Sequence, residues 1–455
     1  MMENAFKLEV AGQTKTLSVK VVPIPKVLVD FRPHKGWSGE FGFDWMRIED
    51  TKIDGDVLYE KNVGEYGAIY ATKTGAVFTA KKFKDLEKLY NPENINGRKD
   101  AAGTLMKYYT PWLSMYREPN AKTAPVAQLE LLGDVDHEPD KLYLEFEKEF
   151  FDISGAKDSP DDPDLKILDL PAAFMAKTSK GKPNKTNIDL QCISTFSKDQ
   201  TIKVWSVKNK ADGTPDKPML SGRLKVKANS KSERRVSKIV FINVKTKINS
   251  TKKSGISASK KLTQEEYLSP FLKQALVKPE IENEDFELFD SSLKIVQELN
   301  KDYTLNRGGT KVFNKNGKIG GDSLVEFLNK KFDANPAFSK YKKYYKVFFL
   351  GEKGGRMNGT DYVGLGGHAN GIPSNECVMY ANPMKFFVAH ELMHCMGLYH
   401  SFDNNSAHTF KLAQTENIMD YSHVSTYAKP NGTLTQISTW TWQWDILKKS
   451  NKKET

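Results

Sequence analysis

The chain has 455 residues, 39% hydrophobic and 27% charged, too apolar a balance for a disordered protein and enough chain for two to four domains at roughly 100 to 200 residues each. No stretch reaches the roughly eighteen apolar residues of a transmembrane helix, and three cysteines, Cys192, Cys377 and Cys395, are too few for a disulfide framework. Lys+Arg of 68 against Asp+Glu of 57 gives a net charge of +11, which favours anionic partners without specifying any.

The first residues, Met1 to Lys7, lack the apolar core of a secretory signal. The protein is expected either to stay in the cytoplasm, to be exported or secreted by a leaderless route, or to have lost a signal. Residues 1–110 alternate in short segments such as Lys15 to Val22 and Ala68 to Thr72 and read as a β-rich module. Residues 111–229 read as a second, sandwich-like β module, with Val126 to Leu132 and Ile202 to Val207 as its clearest strands. The connectors Asp158 to Asp164 and Thr178 to Lys185 read as loops. The acidic one offers carboxylates for a structural Ca²⁺ but lacks EF-hand spacing, so a solvated loop is the simpler reading. The Lys-, Arg- and Ser-dense stretch Arg223 to Lys261 has no interleaved aromatics and no nucleic-acid-binding motif; it reads as a solvated linker holding one strand, Val236 to Val244, and no nucleic-acid partner is expected.

Beyond it the texture is mixed α/β. Thr263 and Glu266 suggest a capping box for a helix through Ala275, with Pro270 kinking it or marking a later start at Ser269. Further helices are expected over Ser291 to Asn300 and Ser323 to Phe332, the latter with Leu324, Phe327 and Leu328 on one face. Tyr345 to Leu350 and Glu376 to Tyr380 read as strands. Near the end, Trp440, Trp444 and Leu447 form a core-facing helical stripe.

Six of the eight histidines fall between His368 and His423, and among them stands His390-Glu391-Leu392-Met393-His394-Cys395-Met396-Gly397-Leu398-Tyr399-His400. Asn382 as N-cap and Pro383 at the first turn predict a helix through this run. At about 100° per residue, His390 and His394 project from one face, one turn apart. Gly397 permits a left-handed residue that ends the helix and returns His400 as a third ligand. Three imidazoles leave one position on Zn²⁺ for water, with Glu391 near enough to act as general base. The full HExxHxxGxxH spacing arises by chance on the order of 10⁻⁵ times in a chain of this composition. Cys395 falls roughly 140° off the metal face, so a thiolate ligand is not expected; whether Cys377 and Cys395 pair stays open. His368 reads as an exposed loop histidine or a substrate contact, and His408 and His423 as substitute ligands disfavoured by spacing.

This extended motif, with Glu416-Asn417-Ile418-Met419-Asp420-Tyr421-Ser422 resembling a Met-turn, resembles the metzincin signature, and most closely the pappalysin-type subgroup, although Met393 stands where that subgroup usually has glycine. The resemblance covers about half the chain. It implies a metzincin-like α/β catalytic domain over residues 230–455, following the N-terminal all-β modules. It implies Met419 as the apolar floor of the site, Tyr421 as a second catalytic residue assisting the oxyanion, and Asp361 to Gly367 as the edge strand and loop above the cleft. The function implied is a zinc-dependent endopeptidase, an exported bacterial-type protease or effector, with protein or peptide substrate bound as an extended strand. The N-terminal modules would bind a carrier or target surface. The alternative is a binding or adhesion protein with a vestigial zinc domain.

Overall fold

The computed structural model describes residues 2–10, 13–21, 23–66, 78–80, 83–95, 104–118, 121–179, 181–290, 292–381, 383–424 and 433–454. The expected strand Ala68 to Thr72 and the helical cap Asn382 lie outside them. The chain divides into two compact units, one of residues 1–38, 43–53 and 83–230, the other of 39–42, 54–82 and 231–455. It is a β-rich multidomain protein.

In the N-terminal unit alternating burial builds sheets with one wet face. One sheet runs Phe151–Ile153, Asn184–Cys192, Val126–His137 and Lys26–Pro33, antiparallel throughout. A second runs from Lys157–Asp158 through Leu165–Asp169, Lys141–Glu147, Gln200–Val207 and Met219–Val226 to Trp112–Ser114. The buried Tyr108 hydroxyl lies 3.0 Å from Val29 O of the first sheet and 2.9 Å from Arg223 O of the second, so one polar group ties the two together. Lys26–Pro33 pairs with Val126–His137, so that parts of the two segments expected as separate modules, 1–38, 43–53 and 83–110 of the first with 111–229, fall in one unit. Pairing across roughly a hundred residues leaves no trace in local composition. The acidic connector is the turn between Lys157–Asp158 and Leu165–Asp169, where Asp162 Oδ1 accepts from Asp164 N at 2.9 Å.

The C-terminal unit is organised by a mixed sheet in the order Val277–Leu288, Arg235–Thr246, Tyr345–Leu350, Glu376–Met379 and Gly367–Ala369. The first four strands are parallel and the last is antiparallel. Arg235–Thr246 is buried almost continuously from Ile239 to Val244, as a strand covered on both faces must be. The basic stretch read as a linker therefore supplies the strand that two neighbours pair with, because its two lysines, Lys238 and Lys245, flank the continuously buried run Ile239 to Val244 rather than interrupt it.

The long helix Ala258–Gln274 starts earlier than either expected cap, at Ser257, whose hydroxyl accepts from Lys260 N, and it continues through Pro270. Burial of Leu268, Phe271 and Leu272 offsets the lost hydrogen bond. Lys294–Asp302 and Leu324–Asp333 are the next helices; the second carries a full capping box between Ser323 and Glu326, the reciprocal bonding that satisfies two orphan backbone donors. Their apolar faces meet Val240, Ile242, Phe348 and Leu350 of the sheet. Phe332 stacks on Phe338 at 4.2 Å and meets Phe348 edge-on at 5.8 Å. Phe348→Ala is expected to destabilise this unit by about 3–5 kcal/mol, read as a lowered urea midpoint of protection in hydrogen exchange across Tyr345–Leu350.

Asp361–Leu365 does not form the edge of the main sheet. It belongs to a separate four-stranded sheet with Thr304–Arg307, Thr310–Asn314 and Gly354–Asn358, and the edge position is taken by Gly367–Ala369. Gly366 alone separates the two strands and lets the chain pass from one sheet to the other.

Candidate metal centre

Phe387–Cys395 is the helix that carries the motif, and it begins later than Asn382 and Pro383 suggest, after a turn in which Met384 O accepts from Phe387 N at 3.1 Å. Val388, Ala389, Leu392, Met393 and Cys395 are all buried, so the helix is apolar around its circumference apart from the motif residues. That surrounding is what makes its imidazoles chemically unusual.

The helix ends as its glycine predicts. Gly397 adopts φ +101°, Gly397 N donates to His394 O at 2.9 Å, and Leu398 N donates to Met393 O at 2.9 Å. These paired bonds are the Schellman arrangement. The same turn places Leu398 O 2.6 Å from His394 Nδ1, and three residues later the chain delivers His400.

The three rings converge through their Nε2 atoms. His394 Nε2 lies 3.2 Å from His390 Nε2 and 3.1 Å from His400 Nε2, with exposures of only 4% for His390, 5% for His394 and 7% for His400. His390 Nδ1 faces Ile418 O at 2.8 Å. A carbonyl can only accept, so Nδ1 of His390 and of His394 must each carry the ring proton, leaving lone pairs on both Nε2 atoms. Burial holds all three rings neutral, pushing His390 down to about 4, His394 to about 3, and His400 well below the usual range. Lone pairs 3.2 Å apart with no proton between them repel; a cation at their centre removes the conflict. Tetrahedral ligation at 2.0–2.1 Å requires nitrogens about 3.3 Å apart, so the donor set fits a metal ion of this size. Among the described residues it is the one cluster of three histidine, cysteine or acidic side chains close enough to hold a metal ion; Asp161, Asp162 and Asp164 form no such cluster.

Glu391, partly buried, points Oε2 to the backbone of the edge strand, accepting from Ala369 N at 2.9 Å. Burial pushes its pKa up to about 7, against the lowering effects of the Ala369 N–H and the charge on Lys315. Met419 is fully buried in a tight turn closed by Asp420 N to Asn417 O at 3.0 Å. Two carbonyls of this turn bond the segments that carry the triad: Ile418 O accepts from His390 Nδ1, and Met419 O accepts from Ser401 N at 3.0 Å, one residue beyond His400. The Tyr421 ring stands 4.7 Å from the His400 ring and 5.8 Å from that of His390.

The turn is fixed from behind. Asn417 and Gln443 exchange two amide hydrogen bonds of 2.8 and 3.1 Å, tying it to the helix Thr441–Lys449. Trp444 and Leu447 of that helix are buried as the sequence stripe requires, while Trp440 sits at its N-cap. The Asp420 carboxylate accepts from the N–H groups of Ala413, Gln414, Thr415 and Tyr421 and from the Thr415 hydroxyl. Nothing in the motif signalled Gln443, because its partner Asn417 lies in another segment.

The remaining histidines and cysteines fall elsewhere. His408 packs edge-on against Trp442 at 5.7 Å, and the His423 ring meets Phe386 at 4.4 Å and Gln436 Nε2; neither joins the triad. His368 is not an exposed loop residue: it lies on the edge strand at 7% exposure and stacks on Tyr380. Cys395 turns away from the triad, its thiol donating to Glu376 O at 3.3 Å, and Cys192, Cys377 and Cys395 are all buried free thiols. Lys315, which sequence reasoning passed over within a polar turn, lies within electrostatic reach of Glu391 and His394.

No known family matches the chain, and no curated protein matches it.

The neutral imidazoles set a pH dependence for the metal-free protein. Unfolded histidines protonate near 6.5, whereas His390 and His394 resist protonation down to about 4 and about 3. Between those values the unfolded chain binds more protons, so stability is fully present above pH 6.5 and falls as pH drops toward 4. Chelator-treated protein should melt at a lower temperature at pH 5 than at pH 7.5, with a smaller difference in His394→Asn.

Proposed function

We propose that this protein is a zinc-dependent endopeptidase of metzincin type. The observation that carries the reading is the convergence of three Nε2 lone pairs with Glu391 alongside, anchored to the strand at the edge of the sheet. A parallel sheet with one short antiparallel edge strand beside the motif helix, and a buried Met419 turn bonded to the ligands, support it. The borderline size and softness of the three-nitrogen site suit zinc, which when bound there supplies a Lewis acid that activates water and polarises a carbonyl.

The chain's own groups supply the proton handling and positioning. A peptide laid in extended form along Gly367–Ala369 bonds through its backbone and brings its scissile carbonyl toward the three imidazoles. Glu391 accepts the proton of the attacking water and hands it to the departing amine nitrogen. Burial raises the proton affinity of Glu391 above that of an exposed carboxylate, which favours its accepting that proton. As the tetrahedral oxygen develops charge, the Tyr421 hydroxyl donates to it. The Nδ1–H bonds to Ile418 O and Leu398 O keep the ligand rings in one tautomer and one orientation throughout.

Glu391→Gln should retain about one zinc per chain by metal analysis while its cleavage of an unstructured protein substrate drops by about 10²-fold or more. Retained turnover would remove Glu391 from the mechanism. His400→Ala should lose the metal itself. Tyr421→Phe is expected to lower kcat by about 10²-fold, with KM little changed; an effect confined to KM would make Tyr421 a binding group. Chelation that leaves casein cleavage intact would sink the zinc reading altogether.

A further inference from the structure

The wall beyond Glu391 carries polar groups that the proposed hydrolysis does not use. His368, one residue before the Ala369 N–H that bonds Glu391, is nine-tenths buried. Its Nδ1 lies 3.4 Å from the Tyr380 hydroxyl, and Nε2 has no partner. A phenol hydroxyl is the stronger donor and an imidazole nitrogen the stronger acceptor, so the favoured arrangement has Tyr380 donating to Nδ1 and the ring proton on the unpartnered Nε2. Leaving such a donor unsatisfied is costly, which makes it a position where a ligand atom is wanted.

Lys315 is held close by. Tyr380 packs so tightly on Gly354 that any side chain there would begin 2.0 Å from its ring, and the next residue, Gly355, accepts from Lys315 N at 2.7 Å. On its other side Lys315 O accepts from Leu324 N at 3.1 Å, while the neighbouring Ser323 hydroxyl reaches Asn370, the residue after the edge strand, at 3.3 Å. The Lys315 backbone is thus pinned between the Tyr380–His368 stack and the end of the edge strand. Its charge acts on His368, Glu391 and His394 together, and Arg356 adds a second positive charge nearby. Lys315 is partly buried, and among the described residues no salt bridge involves it. Glu391, the nearest acid in electrostatic terms, is already bonded to Ala369 N–H.

We propose that Lys315 and the His368 Nε2–H form a subsite that binds a carboxylate of the substrate beside the general base. A cation on a pinned stretch of backbone and a neutral N–H, neither in a salt bridge among the described residues, match a carboxylate and reject a neutral amide of the same shape. An acidic side chain near the scissile bond, or the free C-terminus of a short peptide, carries that group. The inference rests on the peptidase reading for its substrate class.

The test compares zinc-loaded protein on paired fluorogenic peptides that differ only as Glu or Gln at each position flanking the cleaved bond, each pair also made with a C-terminal carboxylate or amide. Expected is a preference of about tenfold in kcat/KM for one carboxylate-bearing member, carried by KM, lost in Lys315→Gln and retained in Lys315→Arg. A Glu-over-Gln preference assigns the subsite to a side chain, and an acid-over-amide preference assigns it to the chain terminus; both support the proposal. Equal cleavage of all members, or a preference that survives Lys315→Gln, overturns it. If wild-type protein cleaves no peptide, the peptidase reading fails instead, and fluorescence anisotropy of the same labelled peptides decides the subsite: equal binding of acidic and neutral members to wild type overturns it, and an acidic preference abolished in Lys315→Gln upholds it.

Discussion

Three buried imidazoles, with His394 Nε2 3.2 Å from His390 Nε2 and 3.1 Å from His400 Nε2 and each in an environment that disfavours protonation, form the constraint on which the rest of the C-terminal unit depends. Such an arrangement does not arise from packing alone, because neutral rings left to themselves turn their lone pairs apart. It persists because carbonyl oxygens hold the opposite ring nitrogens, and each carbonyl comes from a segment whose own backbone is fixed. Leu398 O is presented by the Schellman turn at Gly397; Ile418 O is presented by a turn locked to the helix Thr441–Lys449 through Asn417 and Gln443. The ligands are few, and the scaffolding that aims them is drawn from three distant stretches of chain.

Burial serves the chemistry in two directions at once. It lowers the proton affinity of the imidazoles, leaving their lone pairs free to hold a metal ion, and raises that of Glu391 toward neutrality. One apolar surrounding therefore assigns opposite roles to a base and its neighbouring acid. The Ala369 N–H and Lys315 moderate the rise on Glu391 and connect the motif helix to the strand along which an extended chain can lie. The small sheet containing Thr310–Asn314 and Gly354–Asn358 thereby places the positive charge of Lys315 within electrostatic reach of Glu391.

The same architecture explains a feature that composition obscured. The basic stretch around Arg235–Thr246 has the charge of a linker, yet its apolar residues are continuous enough to be covered on both faces, and it forms twelve residue pairs with Val277–Leu288. Local charge density describes only the residues facing water; which strand becomes central is decided by what lies on either side of it.

What the sequence by itself determined is the part encoded within a few turns of chain. The helical spacing of His390 and His394, the left-handed glycine at 397, the return of His400 and the helix from Ser323 to Phe332 are all local geometry, and local geometry is legible because backbone sterics act between near neighbours. Only the tertiary structure decided the pairing of Lys26–Pro33 with Val126–His137, the choice of Gly367–Ala369 over Asp361–Leu365 as the edge, the burial of His368 and the approach of Lys315 to Glu391. Each of these depends on contacts between segments far apart in sequence, where loop closure, sheet register and burial compete over the whole unit, and no single stretch of residues carries the outcome.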